Sequence, residues 1–206
     1  PMIVSAYING FKGFNIDEAF SSILETSYRP HIHSDWNVYN KYGYYPFDII
    51  KDESVSRALE NGYDDWCVAF MASKLNKDSI YNEFTKRSQF YTNLFDSKSR
   101  LFRGKDSKGN WRANFNPYKA TSPLNNPGDY TEANAWQYFW TPAQYDIKGI
   151  INLLGGTSQF TRQLDYFFTK ETHNPDKYLG QEAMIGLYAL SLVHISEPTR
   201  HLRISY

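Results

Sequence analysis

Apolar residues recur at helical spacing near the start of the chain, at Ile3, Val4, Tyr7, Ile8 and Phe11 and again at Ile16, Ala19, Phe20, Ile23 and Leu24. That spacing predicts two helices joined at Gly13. The stretch from Arg29 to Asp52 is rich in Pro, Gly, Asn and aromatic residues with no sustained period, and reads as a long ordered loop. Val55, Leu59, Trp66, Ala69 and Phe70 mark a long helix over 54–75, and Asp78 is expected to cap another that runs through Leu94. Turn clusters at 96–99 and 106–110 flank Arg100–Arg103 and predict a small hairpin, followed by a Pro/Asn-rich loop. Helical patterning resumes at Thr131 and continues, interrupted near Pro142, to Leu154, where Gly155-Gly156 stops it. Phe160, Leu164, Phe167 and Phe168 indicate a further helix, and 183–189 part of one more. About seven helices and almost no strand argue for an all-α fold, an α/α toroid or bundle with long loops and one small β-hairpin.

Composition narrows the function classes. The 22 Lys and Arg balance 22 Asp and Glu for a net charge of zero, so the broad basic surface of a nucleic-acid binder is missing and no nucleic-acid partner is expected. No apolar run reaches the roughly 18 to 20 residues of a membrane span. The chain opens at Pro1 without an initiator methionine or a basic leader region, and is expected to be a piece cut from a longer gene product. Cys67 is the single cysteine, which excludes an internal disulfide framework and a thiolate-cluster metal site. The 17 Tyr, 14 Phe and 5 Trp accompany a mean hydropathy of −0.60. Much of that aromatic surface is expected beside polar groups.

The strongest local signal is Asp129-Tyr130-Thr131-Glu132-Ala133-Asn134-Ala135-Trp136-Gln137-Tyr138-Phe139-Trp140. On a helix from Thr131, Glu132 would share a face with Trp136, Phe139 and Trp140. Two readings stand side by side: a capping box between Asp129 and Glu132, and a carboxyl raised in pKa by aromatic burial to act as an acid. In Tyr63-Asp64-Asp65-Trp66, one acid is expected to point inward. Asp65 is the candidate for binding a sugar hydroxyl, against a helix–loop hydrogen bond as the plainer role. His31, His33 and Asp35 stand on alternate residues but lack a fourth partner, so no metal is assigned to them. Trp36, Tyr39, Tyr42, Tyr44 and Tyr45 suit either stacking on a sugar face or a plug between loops. No nucleophile elbow, dinucleotide loop, Walker motif or zinc-protease motif is present. Carboxylates in an aromatic, polar setting are the ingredients of glycoside hydrolysis. Helices 54–75 and 131–154 are also expected to leave Trp66, Phe70, Trp136 and Trp140 facing water where partners are missing.

The segments SVSRALENGYDDWCVAFMA (54–72), KRSQFYTNLFD (86–96), LFRGKDSKGNW (101–111), DYTEANAWQYFW (129–140) and GIINLLGG (149–156) resemble, in this order, the catalytic domain of glycoside hydrolase family 92, the calcium-dependent exo-α-mannosidases. TEANAWQYFW is similar to the family's TEGNAWQYTW-type motif, with Ala133 where glycine is usual. The resemblance implies that residues 1–189 are part of an (α/α)6 catalytic toroid, which in the whole enzyme follows a β-sandwich domain. It further implies inverting hydrolysis of terminal α-linked mannose from glycans, with Glu132 as general acid and Trp136 and Gln137 at the pocket wall. Calcium in the complete enzyme and a secreted or periplasmic location are implied in the same way. The family's calcium- and sugar-binding stretch would begin at Gly186, but Leu187 stands where glutamine is expected, and no calcium ligand or base is assigned within this chain. Residues 190–206, LSLVHISEPTRHLRISY, resemble a translated sequencing-library adapter and are expected to be a non-native tail. The rival readings are a non-catalytic glycan-binding α/α module and another α/α-toroid glycosidase.

Overall fold

The computed structural model describes residues 1–31, 34–123 and 126–170. The expected helix within 183–189, the stretch at Gly186–Ala189, the tail 190–206 and the histidine at 33 lie outside the described residues. Among those described, the protein is mostly helical, and it matches the expected helical toroid segment with a small hairpin.

Helices α1 (Met2–Ile8) and α2 (Ile16–Tyr28) flank the expected break, and the Asn15 side chain accepts from the Glu18 amide to start α2. The expected loop over 29–52 instead contains helix α3 (Trp36–Tyr42). Its signals are local: the Asp35 carboxylate accepts from the Val38 amide, and Gly43 ends the helix in the left-handed conformation. The aromatic string of this region is a plug. Trp36, Tyr39, Tyr44 and Tyr45 are all buried, with the Tyr39 and Tyr45 rings 5.1 Å apart.

Helix α4 (Ser54–Lys74) is the axis of the structure and packs against α1, α2 and α5. At 21 residues it is about 30 Å long. Helix α5 (Asp78–Ser88) is shorter than expected, because the chain tightens into a 3-10 turn at Phe90–Leu94 before entering strand β1 (Phe95–Asp96). Strand β2 (Leu101–Phe102) pairs with it antiparallel, Phe95 opposite Phe102, as the turn clusters predict.

The expected helix over 131–154 is three pieces. Glu132 takes a left-handed backbone (φ 48°) and Asn134 is extended, so α6 covers only Ala135–Tyr138. Pro142 opens a 3-10 turn at Thr141–Gln144, and Asp146 then caps α7 (Ile147–Leu154) through the Gly149 amide. Gly155 ends α7 in the left-handed conformation, and α8 (Thr157–Thr169) follows.

Two apolar clusters fill the interior. One joins α3, the first half of α4, the hairpin, α6, α7 and α8; the other joins α1, α2, the second half of α4 and α5. Trp136 is buried in the first and does not face water as expected, while Trp66, Phe70 and Trp140 are half-buried. Among the described residues, the large apolar side chains most open to water include Met2, Ile8 and Phe11 near the start and Phe168 on α8.

Candidate functional site

The segment 129–138 is tied to the first turns of α4 before it reaches α6. The Asp129 carboxylate accepts the Ser54 hydroxyl at 2.8 Å, and the Asp129 carbonyl accepts the amides of Val55 and Ser56. Next along, the Thr131 and Ser56 hydroxyls are 2.8 Å apart, and the Tyr138 hydroxyl donates to Glu60 at 2.9 Å. From the other side Arg112 grips Asp129 with two bonds of 2.7 Å. The Asp129 side chain is therefore an internal clamp that caps no helix of its own segment, while its main-chain carbonyl takes two free amides in the first turn of α4. The capping box lies further on, where Asn134 accepts the Gln137 amide and Gln137 accepts the Asn134 amide.

Glu132 does not stand on a helix face shared with Trp136. It precedes α6, is exposed, and projects from a left-handed residue. Such a backbone costs a non-glycine residue about 1 to 2 kcal/mol, and here a local ladder imposes it. Thr121 and Ala133 form an antiparallel bridge, which sets Ser122 opposite Glu132, and the Ser122 hydroxyl donates to Glu132 Oε1 at 2.6 Å.

Trp136 lies within an aromatic cage of Tyr118, Phe139, Tyr166 and Phe167, with ring centroids 5.1 to 6.1 Å away. Gln137 is buried and engaged in the cap. Asp65 points inward as expected, but its carboxylate meets Arg87, with Nη2 at 2.8 Å and Nε at 3.1 Å. Arg87 is itself held over the rings of Trp36 and Phe84 and donates to the Ser27 carbonyl. Burial pushes the Asp65 carboxyl pKa up to about 7, with Arg87 opposing. Glu132, Trp136 and Gln137 thus share one segment, while Asp65 belongs to the joint between α2, α4 and α5.

A cavity of about 460 Å³ opens between α2 and α4, and none of the four expected residues lines it. Its polar wall includes Arg57, Glu60 and Asp64 on α4, Glu53 at the N-cap of that helix, and Thr131. Glu53 and Arg57 form an ion pair at 2.8 Å. Burial raises the carboxyl pKa of Asp64. Enclosure by the cavity walls raises that of Glu60, which stays open to water, and the Tyr138 bond opposes the rise. The row on α4 was readable in the sequence: steps of three and four residues fall on one helix face. Ser122, by contrast, carried no signal, because its partner is set by a bridge between loops. Among the described residues no three His, Cys, Asp or Glu side chains converge as metal ligands, and no helix is long and apolar enough to cross a membrane.

Known proteins share this fold. The chain is similar to an uncharacterized secreted glycosidase from Arthroderma benhamiae, at 29% identity over 151 residues, covering 65% of this chain and 19% of the relative. A solved family GH92 α-mannosidase from Bacteroides thetaiotaomicron, in complex with mannoimidazole, superposes with a TM-score of 0.75 at 36% identity, over 84% of this chain and 22% of that one. An inverting family GH92 mannosidase from Bacteroides thetaiotaomicron VPI-5482 gives a TM-score of 0.72 at 25% identity, over 97% of this chain and 28% of that one. The chain therefore spans about a fifth of the length of the relatives it matches first. The family model described as the glycosyl hydrolase family 92 catalytic domain matches residues 1–206. The chain belongs to this glycoside hydrolase family.

Proposed function

We propose that this chain is a segment of an inverting exo-α-mannosidase that removes terminal α-linked mannose from glycans, with Glu132 as the general acid. The observation that carries the reading is the placement of Glu132: exposed, on a backbone held from both sides, with its carboxyl bonded to Ser122. An acid in this role must reach the glycosidic oxygen while its own geometry stays fixed, and a carboxyl on a clamped loop residue meets both demands.

Inversion requires a second carboxylate about 6.5 to 9.5 Å from the acid, which activates water on the opposite face of the sugar. That base is assigned to parts of the enzyme outside this chain. Calcium, when bound in the complete enzyme, would orient the sugar hydroxyls. The described residues offer it no cluster of ligands, so none of them is given that role. Trp136 and Gln137 hold the segment of Glu132 from behind, through the aromatic cage and the cap. Asp65 holds the helices together and is not proposed to touch sugar. A secreted or periplasmic enzyme is the setting this reading favours.

The test is Glu132→Gln in the full-length enzyme. Turnover of a mannobiose should fall by about 10² to 10⁴, with substrate affinity retained. Near-normal turnover would refute the assignment of the acid, whereas no turnover by the unaltered full-length protein would favour a glycan-binding module.

A further inference from the structure

We propose that Ser122 is a positioning residue for proton delivery: by donating to Glu132 Oε1 it reserves Oε2 as the oxygen that carries the proton and releases it. This rests on the reading of Glu132 as general acid. A protonated carboxyl has one O–H oxygen and one oxygen that can only accept. An ionised carboxyl can only accept, so the Ser122 hydroxyl 2.6 Å from Oε1 donates to it, and an arriving proton finds its free lone pairs on Oε2.

Ser122 is built to be such a fixed donor. It is 1% exposed, and its backbone exchanges two bonds with Asn126, at 2.8 and 3.0 Å. Its neighbour Thr121 exchanges two more with Ala133, and the Thr121 hydroxyl both donates to the Tyr130 carbonyl and accepts the Tyr130 amide. Tyr130 and Ala133, which bracket Glu132, are thus bonded to the same short stretch that carries Ser122. Serine and acid cannot drift apart without breaking that ladder.

In the step, the Oε2 proton passes to the glycosidic oxygen as the bond from that oxygen to the anomeric carbon breaks, and the bonding pair leaves with the oxygen. Water adds to the anomeric carbon and loses its proton to the base carboxylate. Glu132 is left as a carboxylate that still accepts from Ser122.

The experiment uses the full-length enzyme and two substrates, a mannobiose and a nitrophenyl α-mannoside whose leaving group needs little protonation. Ser122→Ala should lower kcat on the mannobiose about tenfold, leave KM within about twofold, and leave kcat on the nitrophenyl substrate near that of the parent. Ser122→Cys, which keeps the volume but has only a weak S–H donor, should behave alike even if the alanine variant folds poorly. Ser122→Thr should restore turnover. Equal losses on both substrates, unchanged mannobiose turnover, or failure of threonine to restore it would each overturn the proposal. If Glu132→Gln abolishes mannobiose turnover while Ser122→Ala has no effect, only the role of Ser122 is lost. If Glu132→Gln is active, the reading of the acid falls and this proposal falls with it.

Discussion

Arg112 and Asp129 meet in a two-point ion pair, Nε to Oδ2 and Nη2 to Oδ1, both at 2.7 Å. Because the same carboxylate takes the Ser54 hydroxyl, Asp129 fastens the loop around Arg112 and the approach to Glu132 onto α4. Asp129→Ala removes three bonds to one charged group and is expected to cost about 2 to 4 kcal/mol of stability. Denaturant unfolding of the full-length enzyme would check this, and an unchanged midpoint would refute the clamp.

Gly104 lies against that clamp. A methyl group added there would press into the Asp129 carboxylate, which is pinned from two sides and has nowhere to move. Gly104→Ala is expected to destabilise by about 1 to 3 kcal/mol. The loss should shrink when Asp129→Ala is already present, since the two share one contact. A double-mutant cycle with strictly additive losses would disprove the steric explanation.

The Asp65–Arg87 pair predicts a pH dependence. Its carboxyl pKa is raised from 3.8 to about 7 by burial, so the folded state holds this proton more tightly than the unfolded one. Between those values the folded state binds more protons, and the contribution of Asp65 to stability declines as pH rises through that window. Asp65→Asn should flatten this part of the stability profile. Arg87→Met leaves the carboxyl without its cation, and at pH 8, where Asp65 is mostly charged, should cost about 3 kcal/mol or more. The same variant should be milder at pH 5. Melting temperatures across pH 4 to 8 decide, and a profile unaffected by either change would contradict the assignment.

The 206-residue chain expressed by itself is expected to show no mannosidase turnover, since it spans about a fifth of its relatives and, on the proposed reading, the base carboxylate that inversion needs is supplied from outside it. Met2, Phe11 and Phe168, which are 87%, 69% and 53% exposed, should promote self-association. Size-exclusion chromatography with a mannoside assay tests both. Turnover by a monomer that is lost on Glu132→Gln would show that the second carboxylate lies within this chain.

What could be read from the sequence was what repeats or what caps. The long α4, the break at Gly13, the hairpin and α8 follow from periodic apolar positions and turn clusters. Helix α3 was missed because one short helix is a weak period, although Asp35 and Gly43 carry cap signals at both ends. Glu132 was singled out by its motif but set on the wrong backbone. Asp129-x-x-Glu132 has the form of a capping box, yet Arg112 and Ser54 draw the aspartate away and the Thr121 bridge turns the chain before helix can start. Asp65 was rightly placed inward, but Arg87 is 22 positions distant, and no local pattern announces such a partner.

The ties between α4 and the segment of Glu132 join residues far apart along the chain: Ser54 to Asp129 and Ser56 to Thr131 at 75 positions, and Glu60 to Tyr138 at 78. Contacts of such separation repay their loop-closure entropy only once the intervening chain is ordered. The loop that carries Glu132 is accordingly expected to be set late in folding, after α4 and α5 have paired, and to open before them on unfolding. Amide hydrogen exchange would then be faster at Ala133 than in the middle of α4. The proposed proton donor would belong to the part of the molecule whose order is gained last.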